Sequence, residues 1–219
     1  MTTSSNGPTP PDGYGQQDFW ESSRMRCTTI VSAVLVYLSL SVLAPLSAQT
    51  ASTETFVEVA RFFNMSGSAL HFARQGAEAI RSRNAAAAEA IDKSLGYWNK
   101  DVADRRIATL LQSSMTIADA QAIARFNKSS VGGQLAHIFK KPPEEWISAV
   151  GKLPPSEQHQ AETFLRSAPA NKALKAFDSE ASQSLWRSYG EELMCMHFAK
   201  TDQSSLAKLH RNGKCLAFR

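Results

Sequence analysis

Thr116-Ile117-Ala118-Asp119-Ala120-Gln121-Ala122-Ile123-Ala124-Arg125-Phe126-Asn127-Lys128-Ser129-Ser130-Val131-Gly132-Gly133-Gln134-Leu135-Ala136-His137-Ile138-Phe139 carries the pattern that selects the fold. A threonine followed three residues later by a carboxylate, ahead of an apolar run, marks a helix entry; Asp119 stands in for the commoner Glu or Gln. Ile123 and Phe126 then face one way at helical spacing. Ser129-Ser130 ends this helix, and a serine hydroxyl can accept an orphan amide at the start of the next. That second helix holds Val131, Leu135, Ile138 and Phe139. Gly132 and Gly133 each weaken it by about 1 kcal/mol relative to Ala, a cost tolerated where another helix packs closely. The unit is a helical hairpin, which cannot bury its apolar face alone.

The same periodicity recurs on both sides. Upstream, Phe56, Val59, Ala60 and Phe63 share a face of a helix expected near Thr53–Asn64. Asn64-Met65-Ser66-Gly67 breaks it, with Ser66 placed to cap a second helix near 67–82. Asn84 suits the N-cap of an Ala85–Ala88 run, whose stripe continues through Ile91, Leu95 and Trp98, with Ile107, Leu110 and Leu111 following. Downstream, Pro142-Pro143 stops the chain, Glu144-Glu145-Trp146 opens a short helix ending at Gly151, and Pro154-Pro155 precedes a helix with Ala161, Phe164 and Leu165. Ser167 starts another, with Leu174 and Phe177 inward. A long helix passes through Leu185, Trp186, Tyr189, Leu193 and Met196, and a last one spans about Ser204–Arg211 before Asn212-Gly213. No sustained period-two run marks a strand. The expected class is all-α, antiparallel helical hairpins packed as a small bundle.

Residues 116–139 and 154–177 align as a weak internal repeat at an offset of 38. Phe126 matches Phe164, Ser129 matches Ser167, Phe139 matches Phe177, Asp119 matches Glu157, and Lys128 matches Arg166.

The N-terminus has a different character. No charged residue occurs from Cys27 to Thr53, and Ile30 to Leu43 is nearly all apolar, with Arg24 and Arg26 before it and Pro45-Leu46-Ser47-Ala48 after it. A basic stretch, an apolar run and a small residue form a secretory signal over residues 25–48, with cleavage expected between Ala48 and Gln49. Residues 1–24, rich in Thr, Ser, Gly, Pro and Gln, have a composition that does not fold and read as an extension ahead of a true start at Met25. The alternative is an uncut signal anchor, since residues 28–46 approach the ~20 apolar residues that span a bilayer. Residues 49–219 form one helical domain in either case, placed in the periplasm or secreted, or held at the inner membrane.

Charge and cysteine usage fit export. The whole chain carries 24 basic and 20 acidic residues; leaving out Arg24, Arg26, Asp12, Asp18 and Glu21 gives 22 and 17 after Ala48, a mild net charge of +5. Cys27 lies in the signal region, ahead of the apolar run and so not where a lipoprotein cysteine stands. Cys195 and Cys215 remain, a pair that an oxidising compartment converts into a disulfide.

The pattern helix, Phe-x-x-Ser, x-x-Gly, helix, as in Ala122 to Leu135, resembles the core motif of a bacterial envelope family catalogued as domain of unknown function 2059. Its Thr-x-x-Glu-like helix entry is similar to Thr116-Ile117-Ala118-Asp119, and an upstream element to Val59 through Gly67. The resemblance spans about residues 54–180. It departs at Asn127, where the family tends to carry an aromatic, and at Pro142-Pro143, where a helix usually continues. The candidate motif residues are therefore Thr116, Asp119, Phe126, Ser129, Gly132, Phe164 and Ser167. The resemblance implies an all-helical, secreted or periplasmic protein and carries over no catalytic residue.

Other chemistry is weakly signalled. Met194-Cys195-Met196-His197 gathers soft ligands with His210 and Cys215, but residues i and i+2 on a helix point apart and a disulfide removes both thiolates, so no metal and no cofactor is expected. Glu144-Glu145 and Glu191-Glu192 could include a buried general acid of an envelope hydrolase, yet neighbours on a helix diverge by about 100° and make no ready acid–base pair. Basic pairs such as Arg105-Arg106 and Lys140-Lys141 lack interleaved aromatics, so no nucleic-acid partner is expected. Trp98, Trp146 and Trp186 read as core or groove anchors. The expected function is non-catalytic binding of a protein or cell-envelope component; partner and oligomeric state stay open.

Overall fold

The computed structural model describes residues 46–216. The N-terminal extension and the signal or anchor segment lie outside the described residues up to residue 45. Among the described residues the chain is all-helical, with eleven α-helices, one 3-10 turn and no strand.

Helix α1 covers Leu46–Phe62, starting earlier than the apolar pattern indicates, with Ala48 and Gln49 in its first turn. It ends at Asn64, which sits in the left-handed region at φ 48°, a conformation Asn tolerates better than most residues. The Asn64 side chain donates to the Phe139 carbonyl at 3.0 Å. It also lies 2.4 Å from where a Cβ on Gly67 would stand, so the turn requires glycine there. Helix α2 (Met65–Arg81) restarts at once. Ser66, expected as a cap, is consequently inside its first turn. It is buried, and its hydroxyl donates to the Asp104 carboxylate at 2.5 Å.

Asn84 caps α3 (Ala85–Leu95), accepting the Ala87 amide at 3.0 Å. The stripe expected to run on to Trp98 stops at Gly96. Trp98 lies in the connecting turn, and Asn99 caps a new helix, α4 (Lys100–Ser114). Then come α5 (Ile117–Asn127), α6 (Ser130–Ile138), the 3-10 turn Pro143–Glu145 and α7 (Trp146–Val150). They are followed by α8 (Pro155–Leu165), α9 (Ala168–Phe177), α10 (Glu180–Thr201) and α11 (Gln203–Arg211).

Helix α1 is the centre of the main core. Helices α4 and α5 pack on it, α9 packs on α4 and α5, and α6 packs on α5 and α8. Phe56, Val57, Val59, Ala60, Phe62 and Phe63 are all buried, so this helix is enclosed where its period indicated one buried face. Phe62 is ringed edge-on by Phe63, Phe126, Phe139 and Phe164 at centroid distances of 4.8 to 6.4 Å. A second, smaller cluster forms where α10 packs on α3, from Leu95, Ala103, Tyr189 and Leu193.

Cys195 of α10 and Cys215 beyond α11 are joined as a disulfide across a separation of 20 residues. Of the other helices, α11 packs chiefly on α10, with Leu206 buried in the contact. The chain turns back through Gly213 at φ 73°, a left-handed position that suits glycine after a helix. Closing a loop of this length stabilises by about 3 kcal/mol on the chain-entropy account. Reduction is therefore expected to loosen α11 first. Hydrogen exchange with and without a thiol reductant should show amides 203–211 losing protection while α1 and α4 keep theirs; uniform loss throughout would contradict a local role.

Candidate functional site

The residues singled out by the sequence motif are placed as framework. Thr116 and Asp119 form a complete capping box at the start of α5: Thr116 Oγ1 accepts the Asp119 amide at 3.2 Å, and Asp119 accepts the Thr116 amide at 3.0 Å. Lys172 of α9 adds an ion pair to Asp119 at 2.8 Å. Ser129 and Ser167 cap α6 and α9 through the amides of Gly132 and Ala170. Phe126 lies flat on Phe164, centroids 3.7 Å apart and planes 4° from parallel. Positions equivalent at the offset of 38 thus meet in the core. Helix α5 packs on α9 and α6 on α8, so each member of one hairpin meets the other member of its counterpart.

Lys172 and the Thr116 amide and hydroxyl hold the Asp119 carboxyl below the usual carboxylate range. The Ser205 hydroxyl and amide do the same for Asp202, the cap of α11. A carboxyl whose folded value is depressed contributes stability above its unfolded value, about 3.9, which is lost as the pH falls through the folded value. Asp119→Asn is thus expected to lower stability at pH 7, with the gap to wild type closing below pH ~4. Urea unfolding of both proteins at neutral and acid pH checks this; a gap of constant size would contradict it.

The four glutamates considered for acid catalysis are not buried. Glu144 and Glu145 are exposed. Glu191 pairs with Lys214 and Glu192 with Arg106, each with its side chain more than two-fifths exposed. Cys195 and Cys215 carry no free thiolate, and no cluster of three His, Cys, Asp or Glu side chains occurs among the described residues.

One buried charge gave no sequence signal. Asp104 on α4 is fully buried and receives Ser66 Oγ at 2.5 Å, Lys100 Nζ at 2.7 Å and Arg61 Nε at 3.4 Å. It sits at a helix position whose i−4 neighbour is a lysine, a spacing that usually reads as a solvent-exposed pair. Burial follows because α2 covers it. The site fastens α1, α2 and α4 together and is structural, since every oxygen is engaged.

The strongest concavity with unsatisfied chemistry lies between α2, the start of α7 and the end of α9. It is a groove of about 380 Å³ lined by Phe72, Pro143, Trp146, Leu174 and Phe177, together with Lys175 and Asp178. Phe72 is half-exposed at 50%. Ser68 lines the same groove, 2% exposed, and its hydroxyl has no hydrogen-bond partner. Next to Phe72, His71 has its Nε2 3.3 Å from a Glu144 oxygen, in ion-pair range but not aligned for a hydrogen bond. The Trp146 indole N–H donates to the Lys141 carbonyl at 2.9 Å, and its ring meets Phe139 edge-on at 4.9 Å, so this wall is rigidly backed by the core. Of Trp98, Trp146 and Trp186, then, Trp146 lines a groove. Trp98 and Trp186 stack on each other at 5.6 Å beside the second cluster.

Comparison with protein-family models, with curated proteins and with solved structures finds no match for the chain.

Proposed function

We propose that the protein is an exported, non-catalytic member of the bacterial envelope, a small bundle of antiparallel hairpins that binds a polypeptide partner in the groove between α2, α7 and α9. The observation that carries this reading is the half-exposed Phe72 facing Trp146 and Phe177 over the unpartnered hydroxyl of Ser68. An isolated buried hydroxyl costs about 1–3 kcal/mol, and a main-chain carbonyl seated in the groove would satisfy it. Aromatic walls supply contact area at low conformational cost, as at interface centres. Lys175 and Asp178 in the lining offer both charge signs to a peptide.

Export is supported by the apolar run after Arg26 and by the Cys195–Cys215 link, a bond that persists in oxidising compartments. The resemblance to the envelope family of unknown function points the same way. A non-catalytic role is supported by the placement of Glu144, Glu145, Glu191 and Glu192 at the surface or in ion pairs.

Two measurements test the proposal. Intact mass from the native host should give a new N-terminus near Gln49 and a mass lower than the reduced form by the lost thiol hydrogens. An uncut chain in the membrane fraction would favour the anchored form, and an unprocessed cytosolic chain with free thiols would remove export altogether. For the groove, capture from envelope extract should recover a partner with wild type and with the remote control Arg83→Asp, but not with Phe72→Asp. Equal recovery with all three would dismiss the groove.

A further inference from the structure

A second concavity shares no lining residue with the groove. It is an open cup of about 490 Å³ lined by residues of α6, of α7 and of the turn that follows α7, within the size range of small-ligand sites. Ile138, Ala149 and Leu153 give its lining an apolar part. Lys141, Lys152 and His137 belong to the same lining, and no carboxylate does. Neither lysine takes part in an ion pair among the described residues. The acidic residues nearest to Lys141 in sequence, Glu144 and Glu145, belong to the 3-10 turn, with Glu144 turned toward His71, and the one nearest to Lys152, Glu157, stands in the first turn of α8 and does not line the cup. Both lysines stand on ordered backbone: the Lys141 carbonyl is held by the Trp146 indole, and the Lys152 amide donates to the Ala149 carbonyl at 3.2 Å.

Gly133 lines this cup at an exposed position, and a Cβ built on it meets nothing within 4 Å, so a bulky side chain there has room to extend from the lining.

We propose that this cup binds a monomeric anionic amphiphile, its alkyl chain on Ile138, Ala149 and Leu153 and its phosphate or carboxylate head between Lys141 and Lys152. The apolar and the cationic residues of the lining each recognise one half of such a molecule, so both halves are needed for full affinity. The same chemistry reaches the protein free in solution or within a membrane, and the cup's volume suits one chain rather than a bilayer surface.

Calorimetric titration of the intact protein tests this with dodecyl phosphate below its micellar concentration, dodecyl maltoside, inorganic phosphate and vesicles of phosphatidylglycerol. Dodecyl phosphate is expected to bind, with maltoside and inorganic phosphate each weaker by roughly tenfold or more. Gly133→Phe should abolish binding with the helical circular dichroism unchanged. Lys141→Gln with Lys152→Gln, both exposed and free of structural bonds through their ammonium groups, should reduce it by a similar factor and serves if the phenylalanine variant misfolds. Equal affinity for the maltoside or for inorganic phosphate overturns the proposal. So does binding to vesicles without binding to dodecyl phosphate, or dodecyl phosphate binding that survives the double lysine variant.

Discussion

Gly132→Val is expected to destabilise the protein by about 4 kcal/mol or more, in the diagnostic tail of single substitutions. A Cβ at this position would stand 2.0 Å from the Phe126 carbonyl oxygen, 2.7 Å from its carbon and 2.8 Å from the Asn127 Cα. All three atoms are backbone, part of the turn that ends α5, so no side chain can swing away. The hairpin would have to open, and with it the stack of Phe126 on Phe164. Gly133→Ala is the internal control: with nothing near its Cβ, it should gain up to about 1 kcal/mol from helix propensity alone. Urea unfolding of both variants measures the contrast. A valine variant within 1 kcal/mol of wild type would mean that α5 and α6 do not approach as closely as this.

The glycine pair illustrates what the sequence could and could not give. Two adjacent glycines in a helical pattern signal a close approach somewhere nearby, and one of them does face it. Which one depends on the angle at which α6 leaves Ser129, and that angle is set by tertiary packing. Caps were legible because they are local: Asn84, Thr116, Asp119, Ser129 and Ser167 each bond a backbone group within three residues. Ser66 was misplaced for the complementary reason. Nothing local reveals that Asn64 turns left-handed and lets the helix resume at Met65, carrying Ser66 inward to Asp104. Asn99 has the same local signature as Asn84, yet an apolar stripe read through Trp98 concealed the break at Gly96. Of the groove, Trp146 alone reads as an anchor, and the rest is hidden, since Ser68, Trp146 and Phe177 come from three separated segments and meet only after folding. The pairing of Cys195 with Cys215 needed no geometry, because they are the two cysteines that follow the apolar N-terminal run.

Burial of Asp104 shows why the α1–α2–α4 junction tolerates a charge that a core usually rejects. Its ammonium and guanidinium partners stay about half exposed, so only one of the ions loses its water completely. Removing the carboxylate frees Lys100 and Arg61 to rehydrate, which limits the penalty that a wholly buried pair would incur. The lasting loss falls on Ser66, whose buried hydroxyl would keep only the 3.3 Å bond it accepts from Lys100 Nζ.

Phe62→Ala tests the central position of α1 and should cost about 3–5 kcal/mol, the range for emptying a buried aromatic site. Helical spacing groups Phe56, Val59, Ala60 and Phe63 and puts Phe62, three residues after Val59 and about 100° from Phe63, at the flank of that face. In the folded chain Phe62 is 2% exposed and its ring edges meet Phe126 of α5, Phe139 after α6 and Phe164 of α8. The surrounding rings are themselves stacked or tilted against one another, so they cannot collapse into the space without giving up their own contacts. The penalty therefore includes a residual cavity as well as lost transfer energy. Phe72→Ala, on the half-exposed groove wall, should change stability by no more than about 0.5 kcal/mol. Denaturant unfolding that ranks the two alanine variants in the opposite order would refute an enclosed α1, and with it the placement of every helix packed around it.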